Sequence, residues 1–274
     1  MKNFTRIMAL VLALMLCVFA FASCGETENK ADDTKAADTA ADTAADTEAA
    51  PAEGGTLVMG TNAAFPPYEF VDDNGTIVGI DAEIAAAIAE KLGKTLEIKD
   101  MEFDSLIPAV QGGSIDVALA GMTVNEERLE SVNFSESYAT GKQVIIVPEG
   151  SDIKTVDDLE GKTIGVQSGT TGDIYCTDDY GQENVKQYPN GSQAVMALNN
   201  GQVDCVVIDN EPAKNYVAAN DGLSILETEY VVENYAIAVA KENTDLLDAI
   251  NNALAELKAD GTVDKILAKY INAD

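Results

Sequence analysis

The chain has 274 residues, with 17 lysines and arginines against 47 aspartates and glutamates, a formal net charge of −30. So acidic a surface repels phosphate backbones and excludes nucleic acid as a partner. Histidine is absent, which removes Ser-His and Cys-His nucleophile pairs and histidine-ligated zinc, and no cofactor or metal is expected; with 46% apolar residues the chain can still bury a core.

The first segment reads as an export signal. Lys2 and Arg6 precede an apolar run from Ile7 to Phe21, too short to span a bilayer comfortably and followed by small residues. Phe21-Ala22-Ser23-Cys24-Gly25 resembles the lipobox of bacterial lipoproteins, with Phe21 where leucine is usual. Cys24 would then become the acylated N-terminus, with residues 1–23 removed. Ordinary cleavage after Ala20-Phe21-Ala22 is the alternative. Residues 24–55 read as a tether: the stretch repeats Ala-Ala-Asp-Thr, holds nine acidic residues against Lys30 and Lys35, and has no large apolar side chain, so it is expected to stay disordered.

From Thr56 short β-type runs alternate with helical ones. A strand is expected over 57–61, and strands over 68–71 and 76–80 flank Asn74-Gly75, a type I′ hairpin signal. A helix over 81–92 places Ile84, Ile88 and Leu92 on one face, with Asp81 as N-cap. Strands over 96–99 and 115–120 surround a helix over Leu106–Gln111. After a strand over 144–147 the alternation restarts: helix near Val156–Leu159, strand 163–166, helix from Gly172, a strand at Val185, helix 193–199 and strand 203–208. Helices over Thr244–Ala259 and Thr262–Tyr270 end the chain. Such alternation predicts α/β lobes with largely parallel sheets.

An internal echo predicts two lobes. Residues 106–121 align with 194–209, each a helix, a glycine-containing turn and a strand opening on Ile/Val-Asp. The shared aspartates, Asp116 and Asp204, read as turn or strand-start devices. The unlike residues at the strand ends, Gly121 and Asp209, are better site candidates, because ligands of open α/β sheets bind beyond the carboxyl ends of strands.

Several apparent motifs fail on physical grounds. Glu160-Gly161-Lys162-Thr163 lacks the first P-loop glycine and enters a strand, and no histidine could activate Ser168. Asp72-Asp73-Asn74-Gly75 lacks the distal glutamate of a calcium loop. Cys176 and Cys205 could form a disulfide or remain buried thiols; their spacing does not decide. Arg128, the only arginine after the signal segment, sits in Gly121-Met-Thr123-Val-Asn-Glu-Glu-Arg128 at the start of a helix. Its planar fork suits a carboxylate, although a surface ion pair with Glu126, Glu127 or Glu130 is the other reading.

From about Thr56 to Asn272 the chain resembles the amino-acid-binding proteins of bacterial ABC importers, extracellular solute-binding proteins of family 3. The resemblance is carried by Gly60-Thr-Asn-Ala-Ala-Phe-Pro-Pro-Tyr-Glu-Phe70, Gly79-Ile-Asp-Ala-Glu-Ile84, Phe103-Asp-Ser-Leu-Ile-Pro-Ala109, Gly121 to Arg128, Asn133-Phe-Ser135, Gly161-Lys-Thr-Ile-Gly-Val-Gln-Ser-Gly-Thr-Thr171 and Val207-Ile-Asp-Asn-Glu-Pro212. Ala82 departs from the larger aliphatic residue usual there. The resemblance implies a two-lobed periplasmic-binding-protein fold of type II, α/β, each lobe a mostly parallel sheet flanked by helices with the ligand cleft between. Lobe 1 would comprise 56–138 and 236–274 and lobe 2 143–231, hinged near 138–142 and 231–235.

It further implies a clamp for an α-amino acid. Arg128 would hold the carboxylate, helped by the backbone N–H groups of Thr123 and Thr171. Asp209 would pair with the ammonium, joined by the Gly121 carbonyl and the Thr123 hydroxyl. Phe65 and Phe103 would sandwich the side chain, with Asn62 and Gln167 reaching its end; neutral amides there argue against a site built for lysine or arginine and fit a polar uncharged or acidic ligand such as glutamine, glutamate or cystine. The implied role is a monomeric receptor, anchored by lipid to the outer face of the cell membrane, that delivers a free amino acid to the transmembrane subunits of an ABC permease. A sensor domain and a lyase-type enzyme on the same fold are the alternatives.

Overall fold

The computed structural model describes residues 54–226 and 230–271. The expected signal (1–23), Cys24 and nearly all of the expected tether lie outside these described residues. The described chain opens with β1 (Thr56–Thr61), a small antiparallel patch of β2 (Ala64–Phe65), β3 (Glu69–Val71) and β4 (Ile77–Val78), then α1 (Ile80–Lys91), β5 (Thr95–Asp100), α2 (Leu106–Gln111), β6 (Val117–Ala118), α3 (Glu126–Ser131) and β7 (Val132–Phe134). It continues through β8 (Ala139–Pro148), β9 (Ile164–Gln167), α4 (Thr171–Tyr180), β10 (Val185–Tyr188), α5 (Gly191–Asn199), β11 (Cys205–Asp209), α6 (Asn210–Ala218) and β12 (Leu223–Ile225). It then returns by β13 (Val231–Tyr235) and β14 (Ala238–Ala240) to α7 (Thr244–Ala259) and α8 (Thr262–Tyr270).

Two sheets organise these elements into two lobes. The first runs β5-β1-β6-β14-β7, parallel across β5, β1 and β6 and antiparallel where β14 joins. The second runs β10-β9-β11-β8-β12, parallel across β10, β9 and β11, with β8 antiparallel to its neighbours. Helices cover both faces of each sheet, so the inner strands read as continuous apolar runs rather than alternating ones. In β8, Val144 and Ile146 pack towards α5 and α6, while Ile145 and Val147 pack on the opposite face with Val166, Cys176 and Val207. Leu57 and Met59 of β1 likewise face α1, α7 and α8, and α2 covers the other side.

The chain crosses between the sheets twice, side by side. The first half of β8 pairs antiparallel with β13, from Ala139↔Tyr235 to Gln143↔Val231. Beyond it, Tyr138 N–H donates to the Tyr235 carbonyl (2.9 Å) and Ser135 N–H to the Ile237 carbonyl (2.9 Å).

Three local expectations are corrected, and the helix expected near 156–159 is present in 3₁₀ form. The 68–80 hairpin closes with a three-residue loop, because beyond the Val71–Ile77 pair the Asp72 N–H donates to the Thr76 carbonyl at 2.9 Å, and within the loop the Gly75 N–H donates to the Asp72 carbonyl at 3.0 Å. Gly75, at φ +80°, is then the left-handed residue of a bulged turn rather than half of a type I′ pair. Asp81 is not the N-cap of α1; Gly79 is, at φ +129°, where a Cβ would meet the Tyr68 carbonyl at 2.2 Å. Residues 156–159 form a 3₁₀ turn closed by a Thr155–Asp158 capping box. The strand expected over 115–120 shrinks to Val117–Ala118. Asp116 caps the Val58 N–H (2.8 Å) before it, and beyond it the chain leaves the sheet to form a pocket wall.

The echoed aspartates do the same work in both lobes: Asp204 takes the Thr163 N–H at 2.7 Å just as Asp116 takes that of Val58. Cys176 and Cys205 are free thiols, both fully buried, and burial pushes the Cys205 thiol up to about 12.

Candidate functional site

Both sheets end at one narrow pocket, nearly filled by its own lining. From the first lobe come Phe65, Phe103, Gly121, Thr123 and Arg128; from the second come Gln167, Thr171 and Asp209. Of the nine expected ligand-binding residues, Asn62 alone is outside this lining, and it stands one hydrogen bond behind it, accepting from Gln167 Nε2 at 3.0 Å.

Arg128 is the one buried cation among the described residues, 6% exposed. Its position is set from the backbone up: Asn125 caps α3 by accepting the Arg128 N–H at 2.8 Å. The guanidinium lies over the Phe103 ring, 5.3 Å from its centroid, and donates to the carbonyls of Thr123 (2.7 Å) and Gly169 (3.0 Å). The second of these bonds crosses the cleft. Two of five N–H donors are thus engaged by the protein, and three remain. None of the surface ion pairs offered as the other reading of Arg128 forms among the described residues; the side chain points inward.

Gly121 turns the chain at φ +53°, and a Cβ there would meet the Phe65 ring at 3.0 Å. Only glycine lets the loop pass so close to the ring. Its N–H is held by Asp81 Oδ2 at 2.8 Å, which also accepts from the Tyr138 hydroxyl at 2.8 Å. Thr171 opens α4, where Thr170 is the cap and its hydroxyl donates to the Gln167 carbonyl (2.8 Å).

Asp209 ends β11 and is 6% exposed. Oδ2 accepts from Gln143 Nε2 at 2.9 Å, while Oδ1 has no partner among the described residues. Burial, then the nearby Glu233 carboxylate, holds the Asp209 carboxyl well above its usual range, against the lowering pull of Gln143 and Arg128. The same Gln143 amide donates to Glu233 at 2.9 Å, and Glu233 also accepts from the Tyr175 hydroxyl at 3.0 Å.

The amide pair has a fixed orientation. Asn62 Nδ2 donates to the Met101 carbonyl at 2.9 Å, so its oxygen faces Gln167. Gln167 must answer with its NH2 group, which leaves its Oε1 buried and without a partner among the described residues.

Sequence reasoning missed Glu69, Asp81, Gln143 and Glu233. Glu69 lines the pocket, is fully buried and pairs with Phe65 across β2 and β3. The signal existed: Glu69 and Gln143 are polar residues set in or beside apolar strand runs, which a core excludes unless they are partnered.

Comparison with known proteins agrees with this geometry. The family model of bacterial extracellular solute-binding proteins, family 3, matches residues 57–273. A probable histidine-binding protein of Neisseria gonorrhoeae is 34% identical over 230 residues, covering 81% of this chain and 86% of that protein. The arginine-binding extracellular protein ArtP of Bacillus subtilis is 33% identical, covering 97% of this chain and 98% of ArtP. Among solved structures, an ancestral arginine-binding protein bound to glutamine superposes with a TM-score of 0.76 at 47% identity, covering 80% of this chain and 98% of that one. The chain belongs to the bacterial extracellular solute-binding proteins, family 3, and is a binding protein rather than an enzyme.

Proposed function

We propose that this protein captures a free L-α-amino acid by closing its lobes around it and hands it to the transmembrane subunits of an ABC importer. The observation that carries the reading is the meeting, in one buried pocket, of Arg128 from the first lobe with Asp209 from the second. A zwitterion taken out of water needs a partner for each charge. The three unengaged N–H groups of Arg128 suit the carboxylate, helped by the Thr123 and Thr171 N–H groups. Asp209 Oδ1 suits the ammonium, together with the Gly121 carbonyl and the Thr123 hydroxyl. The paired β8–β13 segment, 138–142 and 231–235, is the hinge on this reading.

The side-chain class follows from the amide pair. A buried Gln167 Oε1 asks the ligand for a donor. Glutamine supplies one from its carboxamide and arginine from its guanidinium, whereas a glutamate carboxylate offers none. We therefore favour a polar, donor-bearing side chain, with glutamine first. The ancestral relative solved with glutamine has also been solved with arginine, at a TM-score of 0.75. Upstream, the export signal and Cys24 make the receptor a lipid-anchored protein of the outer membrane face, leashed by the acidic segment.

The test is a thermal-shift screen of the chain lacking its first 23 residues, unfolded and refolded to strip carried-over ligand. The probes are the twenty amino acids, cystine and ornithine. A ligand that binds only the native state raises its melting temperature by mass action. The expected result is a large shift with glutamine or arginine and none with glutamate. No shift with any probe refutes the amino-acid reading.

A further inference from the structure

Glu69 is the one pocket-lining carboxyl that the clamp leaves without a role. It is 0% exposed, and no N–H or hydroxyl of the described residues reaches either of its oxygens. Asp81 is equally buried; its Oδ2 is saturated by the Gly121 N–H and the Tyr138 hydroxyl, and its Oδ1 has no such donor. The fold sets the two side by side, for the Asp81 N–H donates to the carbonyl of Tyr68, next to Glu69, at 2.9 Å, and a hydrogen bond between the two carboxyls is the one partnership left to these oxygens among the described residues. Two carboxylates cannot make that bond, since each only accepts; one of them must carry a proton.

We infer that Glu69 is a neutral carboxylic acid whose proton is shared with Asp81, and that this pair is the positioning element of the site's ammonium end. The donor is Glu69, because Asp81 already accepts two hydrogen bonds that favour its anion. The consequence for the pocket is a charge count. Beside the ligand ammonium stands one carboxylate, Asp209, instead of two, matching the single Arg128 at the other end. The shared proton also pins Asp81, and through it the Gly121 loop whose carbonyl faces the ligand.

The surroundings of Glu69 agree. The charged groups acting most strongly on it are all carboxylates: Asp81 from α1, Asp209 from β11 and Asp100 from β5. The phenols of Tyr68, Tyr138 and Tyr216 also face it, and Arg128 lines the same pocket. Burial first, then Asp81, raises the Glu69 carboxyl well above its usual value, while burial raises Asp81 to about 6. The pair titrates as a unit. The folded protein therefore holds a proton that the unfolded chain releases near pH ~4.3. Stability from this source is full below that pH and falls as pH rises towards the native value.

The inference rests on the amino-acid reading for its role in binding, but the proton itself can be read without any ligand. Infrared spectra of the full chain at about pH 8, where ordinary carboxyls are ionised, are compared between wild type and Glu69→Gln. One protonated-carboxyl carbonyl band, present in wild type and lost in the variant, is expected; its absence from wild type overturns the proposal. Binding of glutamine and of arginine is then measured by calorimetry. Glu69→Ala should weaken binding about tenfold or more, and Glu69→Gln, which donates an N–H to Asp81 in place of the proton, should recover to within about threefold of wild type. A glutamine variant as weak as the alanine one, with unchanged circular dichroism, overturns the proposal, for the site would then need the carboxylate charge. If wild type binds neither probe, the choice of a glutamine- or arginine-like side chain fails while the infrared band still decides the proton.

Discussion

Replacing Arg128 by alanine tests the clamp most directly. The guanidinium is buried, carries five donors and commits two of them to the Thr123 and Gly169 carbonyls. A bidentate ligand carboxylate would take two more. Each charge-assisted hydrogen bond contributes about 1.5–3 kcal/mol, so losing the pair costs about 3–6 kcal/mol. That corresponds to an affinity weaker by about 10²- to 10⁴-fold. The lost bond to Gly169 also removes one tie across the cleft, which pushes in the same direction. Calorimetry with the best ligand from the thermal-shift screen measures the effect. Circular dichroism and a melt of the ligand-free variant separate it from misfolding. Arg128→Lys should lie between the two, keeping the charge but not the fork. A well-folded Arg128→Ala whose Kd lies within about tenfold of wild type would refute the clamp.

Four further outcomes are expected. Asp209→Asn keeps the shape and the Gln143 contact but removes the charge facing the ammonium, so calorimetry should register a loss of about tenfold or more. Gly141→Ala would place a Cβ 1.9 Å from the buried Tyr235 hydroxyl, forcing the ring away from Tyr68; the cost of such overpacking, about 1–3 kcal/mol, should appear as a lowered melting temperature, and an unchanged one contradicts the packing described. Tyr216→Phe deletes the 2.6 Å bond to the Ala64 carbonyl across the cleft and should weaken binding by about two- to tenfold, with little change in the open form seen by small-angle scattering. Cys24→Ser should move the protein from the membrane fraction to the medium, and retention in the membrane fraction would mean a different anchor.

Much of the frame was legible because repeated physical patterns carry it. Helices α2, α7 and α8 stand over the residues expected for them, and the echoed strand-helix units place Gly121 and Asp209 at one pocket. What escaped had a common cause. Asp81 stands two residues after Gly79 at a helix start, which looks like a cap; only the tertiary approach of Gly121 and Tyr138 shows that the carboxylate faces inward. Asn74-Gly75 suits two turn types, and the Val71↔Ile77 register, set by packing outside the loop, selects between them. Gln143 bonds Asp209 and Glu233 across 66 and 90 residues, and Glu69 meets Asp81 only where α1 packs back on its hairpin, so no short window reveals them. Apolar position is encoded locally, whereas the partner of a buried polar group is encoded by the whole fold.

That difference bears on how closure works. Four polar contacts of 3.2 Å or shorter cross the cleft among the described residues, Arg128 to Gly169, Gln167 to Asn62, Ser168 to Asp104 (3.2 Å) and Tyr216 to Ala64, beside a marginal one from Asn215 to the Pro66 carbonyl (3.5 Å). At about 1 kcal/mol each, they favour closure by about 4 kcal/mol. Against them stand Asp209 Oδ1 and Gln167 Oε1, buried without partners; at about 1–3 kcal/mol each they cost about 2–6 kcal/mol. The two sums nearly cancel, so on the proposed reading closure is balanced and the ligand decides. A ligand shifts the equilibrium only by its differential affinity for the closed form. On this reading that differential comes from supplying the two missing partners, an ammonium for Asp209 and a donor for Gln167. An amino acid lacking the second would sit in the cleft without closing it, and specificity would be expressed in the closing rather than in the first encounter.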